Sequence, residues 1–308
     1  MQWLGTKRHP AQRSPLMPPR ARKGLVLRAN RAVRKRATAW GENGARDTPA
    51  EGTRTPTTRR GFSTDLTKRN PMYKLVAFDA YGTLFDVYSM GQLAEELFPG
   101  NGQALALMWR DRQIEYTRLV TMSDPNPEGS RHYLPFWDLT VRSLRYCCKR
   151  LHLPLRAGNE QRLMDQYAKL TGFADSLVVL RSIKTQGLST AILSNGSREM
   201  LSTVVTANGL APYLDQVVTV EDVRLFKTAP QAYELLLRNF PVTKQEILFV
   251  SSNAWDALAA KWFGLDVFWV NRLGHPFEEI GESPNFEGTS LTEVLAVLNP
   301  PAVQKEKP

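Results

Sequence analysis

The stretch LVAFDAYGTLFDVYS, residues 75–89, sets the reading of the whole chain. A short apolar run stops at an acid, Asp79. Gly82 and Thr83 follow, and the chain then turns apolar again. Apolar runs of roughly four to eight residues bounded by turn signals read as buried strands. An acid at the exit of such a strand faces a crevice rather than the core. Free aspartate titrates near ~3.9, so that acid carries charge at neutral pH. It can be a nucleophile, a general base or a metal ligand, and equally a capping or turn aspartate. Two places on, where a second acid would pair with it, stands Tyr81.

Outward from this stretch the pattern repeats. LSTAILS (188–194), DQVVTV (215–220), EILFVSS (246–252) and DVFWVN (266–271) read as four further strands. Helical patterns separate them in REMLSTVVTANG, QAYELLLRNF and WDALAAKWFG. Short strands alternating with helices predict an α/β, Rossmann-like parallel sheet with helices on both faces. Ligands of such sheets bind at the carboxyl ends of the strands, where Asp79, Ser194 and Ser251 fall.

One segment breaks the alternation. From Met90 to Phe173 the periodicity is helical, interrupted at SDPNPEGS (123–130). Apolar residues three and four apart mark the helices. The expected organisation is a catalytic core over 72–89 and 174–299, a helical cap over 90–173 and a disordered tail over 300–308.

The net charge of +10 over 308 residues suggests nucleic acid until it is located. Residues 1–71 hold 17 Lys and Arg against 4 Asp and Glu, a net of +13, and the remainder is at −3. The core therefore needs no nucleic acid partner. The leader, rich in Arg, Pro, Thr and Gly, has too little apolar surface to offset the entropy of ordering and is expected to be disordered. It is open to three readings: a basic tail for nucleic acid or anionic surfaces, an Arg-rich targeting peptide, or sequence upstream of a start at Met72. No run long enough for a membrane helix occurs. Cys147 and Cys148 are adjacent and make no disulfide framework, which suits a reduced, cytoplasmic setting. The histidines, His9, His132, His152 and His275, have no zinc spacing. There is no GxGxxG or Walker-type loop.

DAYGTLFDV, LSNGS, a lone Lys227 after the third strand, and SSNAWDA resemble, in order and spacing, the four motifs of the haloacid dehalogenase superfamily. The resemblance covers residues 72–295. D-x-Y-G-T and S-S-N-x-W-D are similar to the L-2-haloacid dehalogenase branch, and WRDRQIEYT (109–117) to its arginine-bearing cap helix. This implies hydrolytic dehalogenation of short L-2-haloalkanoic acids, no cofactor, no metal, and a homodimer. It implies Asp79 as the nucleophile, with Thr83 bonded to it. Arg110 receives halide and clamps the substrate, and Asn195 cradles the departing halide. Ser194 and Lys227 bind carboxylate oxygens, with Lys227 also neutralising Asp79. Tyr233 and Ser251 support Lys227 and its acids, and Asn253 and Asp256 position water. Tyr81, Phe136 and Trp255 line the substrate pocket.

Tyr81 argues the same way physically. Phosphatase relatives use an acid two places after the nucleophile, both as general acid and, through its carbonyl, toward Mg²⁺. General acid–base help is worth ~10²–10⁴-fold, and a halide leaves without a proton. The alternatives are a phosphatase of the same superfamily, or a degenerate domain carrying a nucleic-acid-binding tail. Two departures from the family pattern stand out. Thr228 and Ala229 follow Lys227 where proline and an acid are usual, and Ala80 replaces a larger apolar residue.

Overall fold

The computed structural model describes residues 73–300. The basic leader, Met72 and the tail beyond Pro300 lie outside the described residues. β1 (Leu75–Phe78) is buried at every position and runs through the middle of the sheet. β2 (Ser189–Ser194) and β4 (Ile247–Ser251) flank it. β3 (Gln216–Thr219) lies outside β2, and β5 (Asp266–Val270) and β6 (Phe286–Gly288) lie outside β4. The order is β3-β2-β1-β4-β5-β6, and every pairing is parallel. Strands covered on both faces must be apolar at successive positions, which is why LVAF and ILFV read as unbroken runs.

Five strands were expected, and the structure has a sixth. β6 is a three-residue edge strand, FEG, with Glu287 exposed. An edge strand that short buries too little to write an apolar run into the sequence.

Strand order reverses on either side of β1, which opens a crevice at the carboxyl ends. Phe78 pairs with Ile192 on one side and with Val250 on the other. Asp79, Ser194 and Ser251 therefore leave the sheet together at one edge.

Five helices lie between β1 and β2, and the first four make up the insertion: α1 (Met90–Leu97), α2 (Gly102–Met122), α3 (Phe136–Arg150) and α4 (Ala157–Ala168). α2 packs between α1 and α3. The Glu95 carboxylate at the end of α1 accepts the N–H groups of Gly100 and Gly102, at 2.5 and 2.8 Å, and so sets the α1–α2 corner. α3 carries Asp138 in its first turn and Lys149 and Arg150 in its last, matching the helix dipole. The insertion leaves and returns along one seam: the Asp86 N–H donates to Thr171 O and that of Phe173 to Leu84 O, at 2.8 and 2.9 Å.

α5 (Ala174–Thr185) leads into β2, and α6 (Arg198–Ala207), α7 (Pro230–Asn239), α8 (Ala254–Phe263) and α9 (Val294–Leu298) complete the layers. Pro230 opens α7 at a position where no intrahelical N–H is needed. Gly264 ends α8 at φ 99°, a left-handed cap that glycine adopts without strain.

Candidate active site

Asp79 is 5% exposed, and its N–H donates to Val250 O at 2.9 Å, an extension of the β1–β4 ladder. Its carboxylate meets three donors. Lys227 Nζ donates to Oδ1 at 3.0 Å; Thr83 Oγ1 and Asn253 Nδ2 donate to Oδ2 at 3.0 and 2.7 Å. Thr83 reaches back because Gly82, at φ 96°, turns the chain sharply after the strand. The Thr83 hydroxyl also accepts the Ser252 N–H at 2.8 Å, which ties the turn to the end of β4.

Behind Asp79 lies a closed ionic set. Lys227 is buried, and its ammonium bridges Asp79 and, at 2.9 Å, Asp256 Oδ2. Tyr233 donates to Asp256 Oδ1 at 2.6 Å, and Ser251 Oγ to Oδ2 at 3.1 Å. Burial alone would lower the Lys227 pKa, but the facing Asp256 and Asp79 carboxylates outweigh burial and raise it. Burial raises the Asp256 carboxyl against the pull of Lys227, and Asp79 adds to the rise. Burial first, then the Asp256 charge, holds the Tyr233 phenol well above its ordinary range, so it remains a donor. Asp256 has no exposed surface and stands behind Lys227, whereas Asn253 lines the cleft.

On the other side of Asp79, Ser194 and Asn195 follow β2. The Ser194 hydroxyl accepts the Gly196 N–H at 3.0 Å, and Asn195 Oδ1 accepts the Lys227 N–H at 2.9 Å. The peptide bond from Lys227 to Thr228 is cis. Arg110 comes down from α2. Its Nη2 donates to Tyr81 O and to Asn253 Oδ1, each at 3.2 Å, and Nη1 to Gln113 Oε1 at 2.8 Å. Tyr81 is buried, with ring centroids 6.0 Å from Phe136 and 5.7 Å from Tyr167. Trp255 lines a cleft of about 880 Å³ with Arg110, Asn253 and Trp269. The cleft reaches Asp79 through its partners Arg110 and Asn253 rather than touching it directly.

The structure thus brings Asp79, Thr83, Arg110, Lys227, Tyr233, Ser251, Asn253 and Asp256 into one hydrogen-bonded network. Asn195 joins it through the Lys227 N–H and Ser194 sits beside it, while Trp255 lines the cleft and Phe136, buried against Tyr81, is not among the residues lining it. Residues 73–264 match the family model for haloacid dehalogenase-like hydrolases. The chain belongs to that family. It is 40% identical to an (S)-2-haloacid dehalogenase of Pseudomonas sp. (strain YL), over 76% of this chain and 98% of that one. A crystal structure of an L-2-haloacid dehalogenase superposes with a TM-score of 0.71 at 49% identity, covering 73% of this chain and 98% of the other. The L-2-haloacid dehalogenase of Xanthobacter autotrophicus, solved with chloropropionic acid covalently bound, superposes at 0.67 with 32% identity, covering 75% and 100%.

Metal-dependent members of this superfamily would place Mg²⁺ against the nucleophile, the carbonyl two residues on and an acid of the last motif. The residues here do not fit it. Both Asp79 oxygens and both Asp256 oxygens face donors, and Tyr81 O accepts from Arg110 and Asn253. Asn253 Nδ2 bridges Asp79 Oδ2 at 2.7 Å and Tyr81 O at 3.1 Å, so an amide donor stands between the two oxygens that such a cation would have to join. Among the described residues, no cluster of three His, Cys, Asp or Glu side chains could hold a metal.

Sequence reasoning missed three residues of this neighbourhood. Gln113 binds Arg110. Gly196 presses against Tyr81, since a Cβ there would lie 2.7 Å from the ring. Arg272 chelates Asp175 at 2.9 Å through both Nη atoms and reaches Thr83 O at 3.3 Å. Gly196 stands inside the quoted LSNGS motif, where it reads as a turn glycine, and could have been flagged as a close approach. The other two gave no local signal.

Proposed function

We propose that the protein hydrolyses short (S)-2-haloalkanoic acids, such as 2-chloropropionate and monohaloacetates, to 2-hydroxy acids of inverted configuration. The observation that carries this is an aspartate at the switch point of the sheet, held by three donors, with the Asn253 amide and Arg110 on the Tyr81 carbonyl where a metal would otherwise bind. An Asp79 oxygen attacks C2 from the side opposite the halogen. The carbon–halogen bond breaks, the halide takes the electron pair, and an ester of Asp79 remains. Water then attacks Cγ of Asp79, and the hydroxy acid leaves with the original carboxylate oxygen. The water oxygen stays on Asp79, and the balance is one halide and one proton released per water consumed.

The residues divide the work between the steps. Arg110 and the Asn195 amide face the departing charge, and Ser194 takes a substrate carboxylate oxygen. Phe136, Tyr81 and Trp255 exclude water around the reacting carbon. In the second step Lys227, Thr83 and Asn253 are already aimed at the oxygens where negative charge develops, as an oxyanion site requires. Asn253 aligns the water. Asp256, deeper, holds Lys227 charged together with Tyr233 and Ser251.

The same reading makes α1–α4 a cap over the strand ends. It carries a cytoplasmic setting, in keeping with Cys147 and Cys148, both buried and free. It also carries a homodimer, for which Leu107, Leu119 and Met122 on α2 offer exposed apolar side chains and which sedimentation will test. No helix among the described residues is long and apolar enough to cross a membrane.

Purified protein given (S)-2-chloropropionate and a chelator should release chloride and (R)-lactate. In a single turnover in ¹⁸O water, label should enter Asp79 before product. Absence of chloride, chloride only after Mg²⁺ is added, or lactate of retained configuration would overturn the proposal, as would full activity in Asp79→Asn.

A further inference from the structure

Gln113 has no part in the steps above, yet it is only 1% exposed within the helical insertion. A buried amide is tolerated when its polar atoms are paired, and here the sense of each bond can be deduced. The Thr140 hydroxyl gives its proton to Phe136 O at 2.7 Å. Its 2.6 Å contact with Gln113 is therefore an Nε2–H of Gln113 donating. Nε2 also donates to the Tyr167 hydroxyl at 3.1 Å. The Tyr167 hydroxyl also lies 3.3 Å from Oε1, to which it can donate, so the Thr140 bond is the one that fixes which way the amide faces. Oε1 is left toward Arg110, whose guanidinium can only donate, at 2.8 Å. Tyr167 is itself held in place, stacked on the Tyr81 ring at 22°.

Arg110 is thus gripped from two sides that differ in kind. Its Nη2 partners, Tyr81 O and Asn253 Oδ1, border the reacting centre. When the guanidinium turns toward halide or substrate carboxylate, those bonds are the ones exchanged. The Nη1 bond to Gln113 points away from the site into the insertion and can persist. An arginine side chain has many rotamers, and ordering it anew in each turnover would subtract from the rate.

We propose that Gln113 is a positioning residue that keeps the Arg110 guanidinium aimed at the departing halide, with Thr140 setting the orientation of its amide. The inference rests on the dehalogenase reading of the site. Gln113 then acts only through Arg110 and only on the first chemical step.

A double-mutant cycle tests it. Gln113→Met, which keeps the length and removes the amide, should slow single-turnover esterification of Asp79, followed by intact-protein mass spectrometry, by about 10- to 100-fold. Hydrolysis of the preformed ester should be unchanged. In Arg110→Ala the further change Gln113→Met should cost nothing, because the two side chains act as one unit. Gln113→Glu keeps an acceptor facing Arg110 and should stay within about fivefold of wild type; it also serves if the methionine variant fails to fold. Additive losses in the cycle, equal slowing of both steps, or wild-type rates in Gln113→Met would overturn the inference. Wild-type protein that releases no chloride would instead overturn the functional reading beneath it, before any variant is compared.

Discussion

Replacing Lys227 by methionine removes a charge from between two carboxylates without changing the length of the side chain. The ammonium sits 3.0 Å from Asp79 and 2.9 Å from Asp256, fully buried, with the Phe249 ring 5.0 Å away. At an effective dielectric of about 20, each of these attractions is worth roughly 5 kcal/mol before desolvation is subtracted. Breaking one side of a buried ionic set typically costs about 3–5 kcal/mol, because the remaining charges are left unpaired. For a folded region of this size that corresponds to a fall in melting temperature of roughly 6–20 °C.

The pH dependence gives the sharper test. In wild type the Lys227 pKa is raised, so its stabilisation is complete below the ordinary value of 10.5 and fades only as pH rises through the higher folded value. In Lys227→Met two facing carboxylates cannot both stay charged cheaply, and the folded state takes up a proton that the unfolded chain gives away. The deficit is then largest at neutral pH and shrinks as pH falls toward about 5. Urea unfolding at both pH values measures it, and chloride release should be lost at neutral pH. A variant as stable as wild type at neutral pH, or one whose deficit grows on acidification, would refute this account of the bridge.

Other consequences follow from the same structure. Burial pushes the Cys147 and Cys148 thiols up to about 11 from 9.0. Unfolded thiols ionise first, so their stabilisation is present below about pH 9 and is lost between about 9 and 11. In the native state neither should react with a disulfide reagent on the time scale of a free thiol, and both should react in denaturant. Gly196→Ala places a methyl 2.7 Å from Tyr81 Cε2 and 3.2 Å from Leu201 Cδ2. It should cost about 1–3 kcal/mol in unfolding experiments and lower turnover by tilting the Tyr81 ring. Gly82→Ala forces a side chain to φ 96° in the turn that carries Thr83. A loss of about 1–2 kcal/mol, with slower esterification of Asp79, is expected.

Much of this protein was written locally. A strand buried on both faces has to be apolar throughout, so five strands and the acid at the exit of the first are visible residue by residue. The motif residues share that legibility because each lies within a few positions of a strand end, and strand ends of a parallel sheet converge. Tyr81 in place of an acid already pointed away from metal chemistry. Tertiary structure alone decided what depends on distant segments. β6 is held by its neighbour rather than by its own apolarity. Asp256 lies behind Lys227, which only the packing of α8 against the sheet could place. Gln113 looks like any polar residue on a helix until α3 and α4 bring Thr140 and Tyr167 to it. The direction of the amide that meets Arg110 is set by a partner 27 residues away in the chain. Hydrophobic periodicity reports how much of a helix is buried and not which polar atoms it will meet, so that part of the site exists only in the fold.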